Sequence, residues 1–235
     1  MKNKNKRRII NVLIILLMIP AILAGNVLYG DYKQDLEFKD IMGNIEPLEI
    51  VDDLLNFKPL QRKNKDIICW LKIDGTQIDY PVVQAEDNDY YIHRDLKGQH
   101  NRNGTLFMDY RLQDNFSNYV NMIYGHNMRS GMMFQAITLF ASRNYFDDHK
   151  TGTLYTPNKT YSIHFFAYAA TTDGSDFYKI EFSNEEERMN HLEMIQHKSM
   201  NSRNIELDKD HKLIILSTCG NALGKTRSVL IGVLD

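Results

Sequence analysis

Two cysteines occur in the chain, Cys69 and Cys219. The second lies in "LIILSTCGNALGKTRSVLIGVL", where one cysteine and one arginine stand between two apolar runs. Three roles are open to such a thiol: half of a disulfide, a packing residue or a nucleophile. The segment reads as a strand "HKLIILST", a loop "GNALGKT" and a second strand "RSVLIGVL". Paired antiparallel, these put Cys219 at the end of one strand and Arg227 at the start of the next, at one rim. A packing cysteine belongs among Leu213 to Leu216, so a place at the strand end beside Gly220 favours a reactive role. Cys69, in "ICWL", sits within an apolar run and reads as core packing.

The reactive form of a thiol is the thiolate, so a nucleophilic Cys219 needs a proton partner or a cationic neighbour. Of the eight histidines, His126 stands out in "VNMIYGHNMRSGMMF", just after an apolar strand and directly behind Gly125, as a loop-borne catalytic imidazole would be presented. His93, His100, His149, His191, His197 and His211 lie in polar loops or on element surfaces, where solvation is the default. His164 lies within a strand pattern and reads as locally satisfied.

The elements that must position these residues are mostly strands. From "DIICWLKIDGTQIDYPVVQ" onward, short runs of Ile, Val, Tyr and Phe alternate with turn signals such as Asp74-Gly75, Asn103-Gly104 and Asp173-Gly174, the pattern of a barrel or sandwich. Strands are expected near 67–73, 77–83, 104–108, 119–124, 152–156, 160–170, 211–218 and 227–234. One helix interrupts them over 184–199, in "SNEEERMNHLEMIQHKSM", with Ser183 and Glu186 as a capping box and three first-turn glutamates complementing the helix dipole, not a metal site. Residues 31–60 carry apolar positions at Leu36, Phe38, Ile41, Met42, Leu48, Ile50, Val51, Leu54 and Leu55, the spacing of one or two short amphipathic helices.

With 235 residues and 43% hydrophobic content the chain has material for one sizeable core. Its 28 basic and 30 acidic side chains give a net charge of -2, which leaves no overall basic field for nucleic acid. The first eight residues, "MKNKNKRR", are basic, and Ile9 to Gly30 holds no charged side chain. As a helix that run is about 33 Å long, enough to cross a hydrocarbon core. The apolar run continues past the weak small-residue site at Ile22-Leu23-Ala24, which favours an uncleaved anchor over a signal peptide. The basic flank (1–8) then stays inside, the span covers 9–30, and the rest lies outside. One disulfide is not a framework for a domain of this size, so pairing of Cys69 with Cys219 is disfavoured although the compartment permits it.

In their order and spacing, "WLKIDGTQIDYPVVQ", "DNDYYI", "GTLFMDYR", "VNMIYGHNM", "MF", and "LSTC" followed eight residues later by Arg227 resemble the sortases, and within them class B. The resemblance runs from about Asn64 to the C-terminus. It implies a mainly β fold: a closed eight-stranded barrel (65–235), an N-terminal helical extension or stalk (31–64), and a long helix before the strand that ends in the cysteine. It also implies a cysteine transpeptidase of the Gram-positive cell surface that uses no cofactor and no metal. Cys219 would attack the threonine carbonyl of a C-terminal sorting signal on a surface protein, His126 would handle protons, and Arg227 would hold the substrate carbonyl or developing oxyanion. The acyl group would pass to an amine of a peptidoglycan precursor or cross-bridge.

By the same resemblance, Asn88, Ile92, Thr172, Phe177, Tyr178 and Ser217 would line the substrate groove. Local structure also accounts for all six: Asn88 as an Asx-turn, Phe177 and Tyr178 as core. One departure from the family lies in "GNALGKT", small and neutral where class B members often carry an acidic residue followed by an aromatic one. Alternatives are a pilin-polymerising sortase with a lysine acceptor and a catalytically silent membrane-tethered barrel. A papain-like peptidase is disfavoured because those families place the cysteine before the histidine.

Overall fold

Runs of β-branched and aromatic residues, each cut off by a turn, become strands because their side chains pack on a half-buried pleated surface. The computed structural model describes residues 2–43, 50–51, 54–205, 211–219 and 226–235, and for Cys219 the backbone. In chain order the elements are α1 (Lys2–Gly43), β1 (Ile50–Val51), β2 (Leu54–Leu55), α2 (Lys58–Lys63), β3 (Ile67–Ile73), β4 (Asp79–Val83), β5 (Leu106–Met108) and β6 (Val120–Gly125). There follow α3 (Arg143–Asp148), β7 (Thr151–Tyr155), β8 (Thr160–Thr172), α4 (Glu185–Lys198), β9 (Asn201–Ser202), β10 (Lys212–Cys219) and β11 (Thr226–Leu234). Strands β11, β10, β6, β5, β4, β3, β7 and β8 are neighbours in that order, and β8 pairs again with β11, so the sheet closes into an eight-stranded barrel. Two-residue β9 adds to the side of β8. The eight strands fall within about two residues of the expected spans, the usual play of strand ends.

The centre of the barrel is carried by β10 and β11. Ile214, Ile215, Leu216, Val229, Leu230 and Ile231 are completely buried. Burying each such side chain is worth about 1.5–3 kcal/mol, so these two strands are anchored along their length and their ends are held in register. Cys69 is a free thiol, buried on β3, and burial pushes its pKa up, as befits a packing residue.

The helix before β10 forms as expected, with its start shifted by one residue. Asn184, not Ser183, is the N-cap: its Oδ1 accepts from the Glu187 backbone N at 2.9 Å, and the Glu187 carboxylate accepts from the Ser183 backbone N at 3.2 Å. Asn184 therefore caps the helix and Glu187 reaches back one residue further, to Ser183, because an asparagine caps as well as a serine and lies one residue closer to the apolar stripe. His191, expected on a solvated surface, is buried on the inner face of α4. Desolvation pushes its pKa down to about 4, against a bond from Nε2 to the Asp176 carbonyl at 3.2 Å. The unfolded chain binds this proton more tightly, so the stability that neutral His191 contributes is present above the ordinary imidazole value and is lost as pH falls toward 4, about 3 kcal/mol in all. Urea unfolding at pH 7.5 and 4.5 should show a smaller acid loss in His191→Gln than in the parent chain, by about 2 kcal/mol. Equal losses would contradict this.

The N-terminal region differs from its expected subdivision. α1 runs unbroken through the apolar span and on to Gly43, with no separate helix beginning at residue 31. Side chains from Leu13 to Leu28 point into open space, whereas Phe38 and Ile41 are buried. Phe38 packs on Tyr80 with ring centroids 5.9 Å apart. Asp31 pairs with Arg102, Gln34 accepts from the Arg102 backbone N at 2.9 Å, and Asp35 accepts from Asn103 Nδ2 at 3.1 Å. Ile50, Val51, Leu54 and Leu55, read as helical, instead form the β1–β2 pair, in keeping with the β-branched Ile50-Val51. Leu48 lies outside the described residues.

Candidate active site

Three neighbouring strands end at one rim. In the antiparallel β10–β11 pair Cys219 stands directly opposite Arg227, and in the parallel β10–β6 pair Thr218 stands opposite Gly125. His126 is the next residue after Gly125, so pairing alone brings Cys219, Arg227 and His126 to adjacent ends of β10, β11 and the segment after β6. Gly125 is required there: a Cβ would come within 2.4 Å of Leu106 Cδ2 and 2.8 Å of Phe134 Cδ2. The loop "GNALGKT" lies outside the described residues apart from Thr226.

His126 is half-buried and fixed from behind. Its Nε2 lies 2.7 Å from the Ile92 carbonyl oxygen, which can only accept, so Nε2 carries the proton and Nδ1 is the nitrogen that can take one up. His93, expected to be a solvated surface residue, stacks on His126 with centroids 5.4 Å apart and planes at 14°. Burial lowers the His126 pKa below the ordinary imidazole value, opposed by the Ile92 bond and helped by His93 and Arg102. Gly104, at φ +59°, backs onto the same carbonyl; a Cβ would sit 2.3 Å from the Ile92 oxygen, so the residue that lets the chain pass also protects the histidine's acceptor.

The rim opens into a cleft of about 320 Å³ lined by His126, Arg227, Ser217, Thr218, Tyr178, Ile92, Asn88, Tyr124 and Asp173 among others. Four of the six groove residues named from sequence, Asn88, Ile92, Tyr178 and Ser217, are thus in its wall. Tyr178 Oη and Ser217 Oγ are 2.7 Å apart and tie the two sides of that wall together. Thr172 ends β8, exposed and opposite Thr226. Phe177 is buried and packs in the main core. Arg227 Nη2 lies 3.3 Å from Asp173 Oδ2, which draws the guanidinium toward the mouth of the cleft.

Four wall or support residues had no role assigned from sequence. Thr218 Oγ1 is buried with no hydrogen-bond partner among the described residues. Tyr124 and Asn88 both reach Asp109, a fully buried carboxylate that forms an ion pair with Arg111. Burial works against ionisation of Asp109, but the Arg111 bonds and those from Tyr124 and Asn88 outweigh it and hold the carboxyl below its usual range. Among the described residues no group of His, Cys, Asp and Glu is placed to hold a metal ion.

No family model matches the chain. Sortase B of Listeria monocytogenes is 35% identical over 190 residues, which span 80% of this chain and 73% of that protein. Sortase B of Staphylococcus aureus is 26% identical over 237 residues, spanning 97% of this chain and 96% of that protein. Among solved structures, sortase B from Bacillus anthracis in complex with AAEK1 superimposes with a TM-score of 0.78 at 32% identity, over 88% of this chain and 98% of that one. Clostridium perfringens sortase B gives a TM-score of 0.72 at 32% identity, over 77% of this chain and all of that one.

Proposed function

The chain belongs to the class B sortases, a family of cysteine transpeptidases, and from that premise we propose that it cleaves a C-terminal sorting signal after threonine and passes the acyl group to a cell-wall amine. The observation that carries this reading is the pairing register, which brings the backbone of Cys219, Arg227 and the residue after Gly125, His126, to one rim, beside a cleft of about 320 Å³.

In the first half-reaction the Cys219 proton goes to His126 Nδ1 and the thiolate attacks the threonine carbonyl carbon, forming the C–S bond and moving the carbonyl π pair onto oxygen. Arg227 is the fixed cation for that oxyanion, and its planar fork of donors suits a carbonyl oxygen. When the tetrahedral species collapses, the C–N bond breaks and His126 returns its proton to the leaving amine. In the second half-reaction an acceptor amine gives a proton to His126 and attacks the thioester, and the sulfur leaves as thiolate. A neutral His126 at physiological pH, favoured by its lowered pKa, is ready to accept that proton. Incubating the full chain in detergent with a library of x-Pro-x-Thr-x peptides and a small amine should give products joined to the amine through threonine. Cleavage at another residue, or none, would overturn the reading.

α1 is the membrane anchor of this reading. It holds one stretch long and apolar enough to cross a bilayer, none of it buried against the barrel. The polar contacts from Asp31, Gln34 and Asp35 begin one residue after Gly30 and would hold the barrel close to the membrane surface. The basic flank keeps the N-terminus inside. Protease added to intact protoplasts should therefore digest the barrel. Its survival, or a mature chain starting near Gly25, would contradict an uncleaved anchor with the barrel outside.

A further inference from the structure

Asp109, just beyond β5, does not line the cleft, yet its carboxylate meets two residues that do. Oδ1 accepts from the Arg111 backbone N at 3.1 Å and from Arg111 Nε at 2.9 Å. Oδ2 accepts from Arg111 Nη2 at 2.8 Å, Tyr124 Oη at 3.0 Å and Asn88 Nδ2 at 3.1 Å. An ionised carboxylate only accepts, so the Tyr124 hydroxyl gives up its single hydrogen there. Asn88 is fixed at its other end as well, because its Oδ1 accepts from the Tyr110 backbone N at 3.0 Å. Neither end of that amide can be reversed, since a carboxylate cannot donate and a backbone N–H cannot accept. Of these two side chains the one donor left for a ligand is an N–H of Asn88, beside acceptor lone pairs on Tyr124 Oη and a second lone pair on Asn88 Oδ1.

We infer that Asp109 is a positioning residue that sets the polarity of the cleft wall, making Asn88 a donor and Tyr124 an acceptor toward a peptide unit of the substrate. The matching ligand group offers a C=O to Asn88 and an N–H to Tyr124, as one peptide unit or carboxamide does. Burying the Asp109 carboxylate carries a desolvation cost that its pairing with the exposed Arg111 repays only in part, so stability alone gives no reason for a carboxylate here. Arg111 neutralises the charge, which lets Asp109 orient its neighbours without placing a bare anion under the cleft. This inference rests on the peptide-cleaving reading above, and it deepens that reading by naming what fixes the substrate wall.

The test is Asp109→Asn in the full chain, with four measurements. The Asn88 side-chain NH2 resonances should be resolved and slow to exchange in the parent chain, where both ends of the amide are bonded, and fast-exchanging in the variant. KM for acylation by a sorting peptide should rise about tenfold, as for loss of a fixed hydrogen-bond pair, while the limiting acylation rate changes less than about twofold. Alkylation of Cys219 by iodoacetamide should stay within about twofold, which a general loosening of the fold would not allow. Placed in an Asn88→Ala, Tyr124→Phe background, Asp109→Asn should add little further KM effect, because the groups it orients are gone. That double background retains the Asp109–Arg111 pair and should itself reproduce the KM rise, so the idea stays testable even where Asp109→Asn does not fold. Unchanged Asn88 resonances, an unchanged KM in both variants, or a parallel fall in alkylation would overturn the proposal. If the parent chain acylates no peptide at all, the sorting reading fails, while the Asn88 resonances still decide whether Asp109 holds the wall.

Discussion

Cys219→Ala should abolish both peptide cleavage and acyl-enzyme formation, because on the proposed mechanism it removes the atom that becomes bonded to substrate. The barrel still folds, since the substitution falls at the last residue of β10, beyond the fully buried stretch from Ile214 to Leu216. Cys69→Ala gives the opposite result. It leaves the chemistry intact and lowers stability by about 1–2 kcal/mol through a small cavity in the core. Peptide turnover and a urea midpoint measured on both variants check the pair. If Cys69→Ala silenced the enzyme and Cys219→Ala did not, the nucleophile would be misassigned.

Arg227→Lys should lower the acylation rate by about a hundredfold to a thousandfold, the usual cost of losing one preorganised oxyanion contact, although it keeps the positive charge. The lysine ammonium is a point charge on a flexible stem and lacks the flat pair of donors. The loss should fall on the limiting rate more than on KM, because the oxyanion exists only as the transition state is approached. Single-turnover kinetics with a sorting peptide separate the two. A nearly normal Arg227→Lys would mean that charge alone is used, and a pure KM effect would place Arg227 on the ground-state peptide.

Much of this was legible in the sequence, and the reason is periodicity. Strands β10 and β11 are continuous apolar runs with a polar loop between them, so their pairing, and with it the opposition of Cys219 and Arg227, follows from hydrophobic pattern and a hairpin connection. His126 was visible because the strand before it ends in glycine. The shifted cap of α4 and the burial of His191 were harder to read: serine and asparagine cap equally well, and a histidine's side of the helix depends on what packs there. Asp109 lies in "GTLFMDYR", yet nothing in that stretch marked it for a role of its own. A single acidic residue before Tyr110 and Arg111 looks like any solvated turn, and only the folding of Asn88 and Tyr124 onto it from 21 and 15 residues away reveals it as a buried hub. The stacking of His93 on His126 was hidden in the same way, since tertiary contacts between loops leave no period in the chain.

The central claim is that Cys219 forms a thioester with a peptide that has lost everything after its threonine. Intact-mass spectrometry of the full chain, acid-quenched during turnover with an x-Pro-x-Thr-x peptide, tests it most directly. The account predicts a mass increase equal to the peptide fragment ending in threonine less one water, located by digestion on the segment containing Cys219, lost on hydroxylamine treatment and absent from Cys219→Ala. An adduct on another residue, or rapid peptide cleavage with the protein mass unchanged at every quench time and no burst phase, would contradict it.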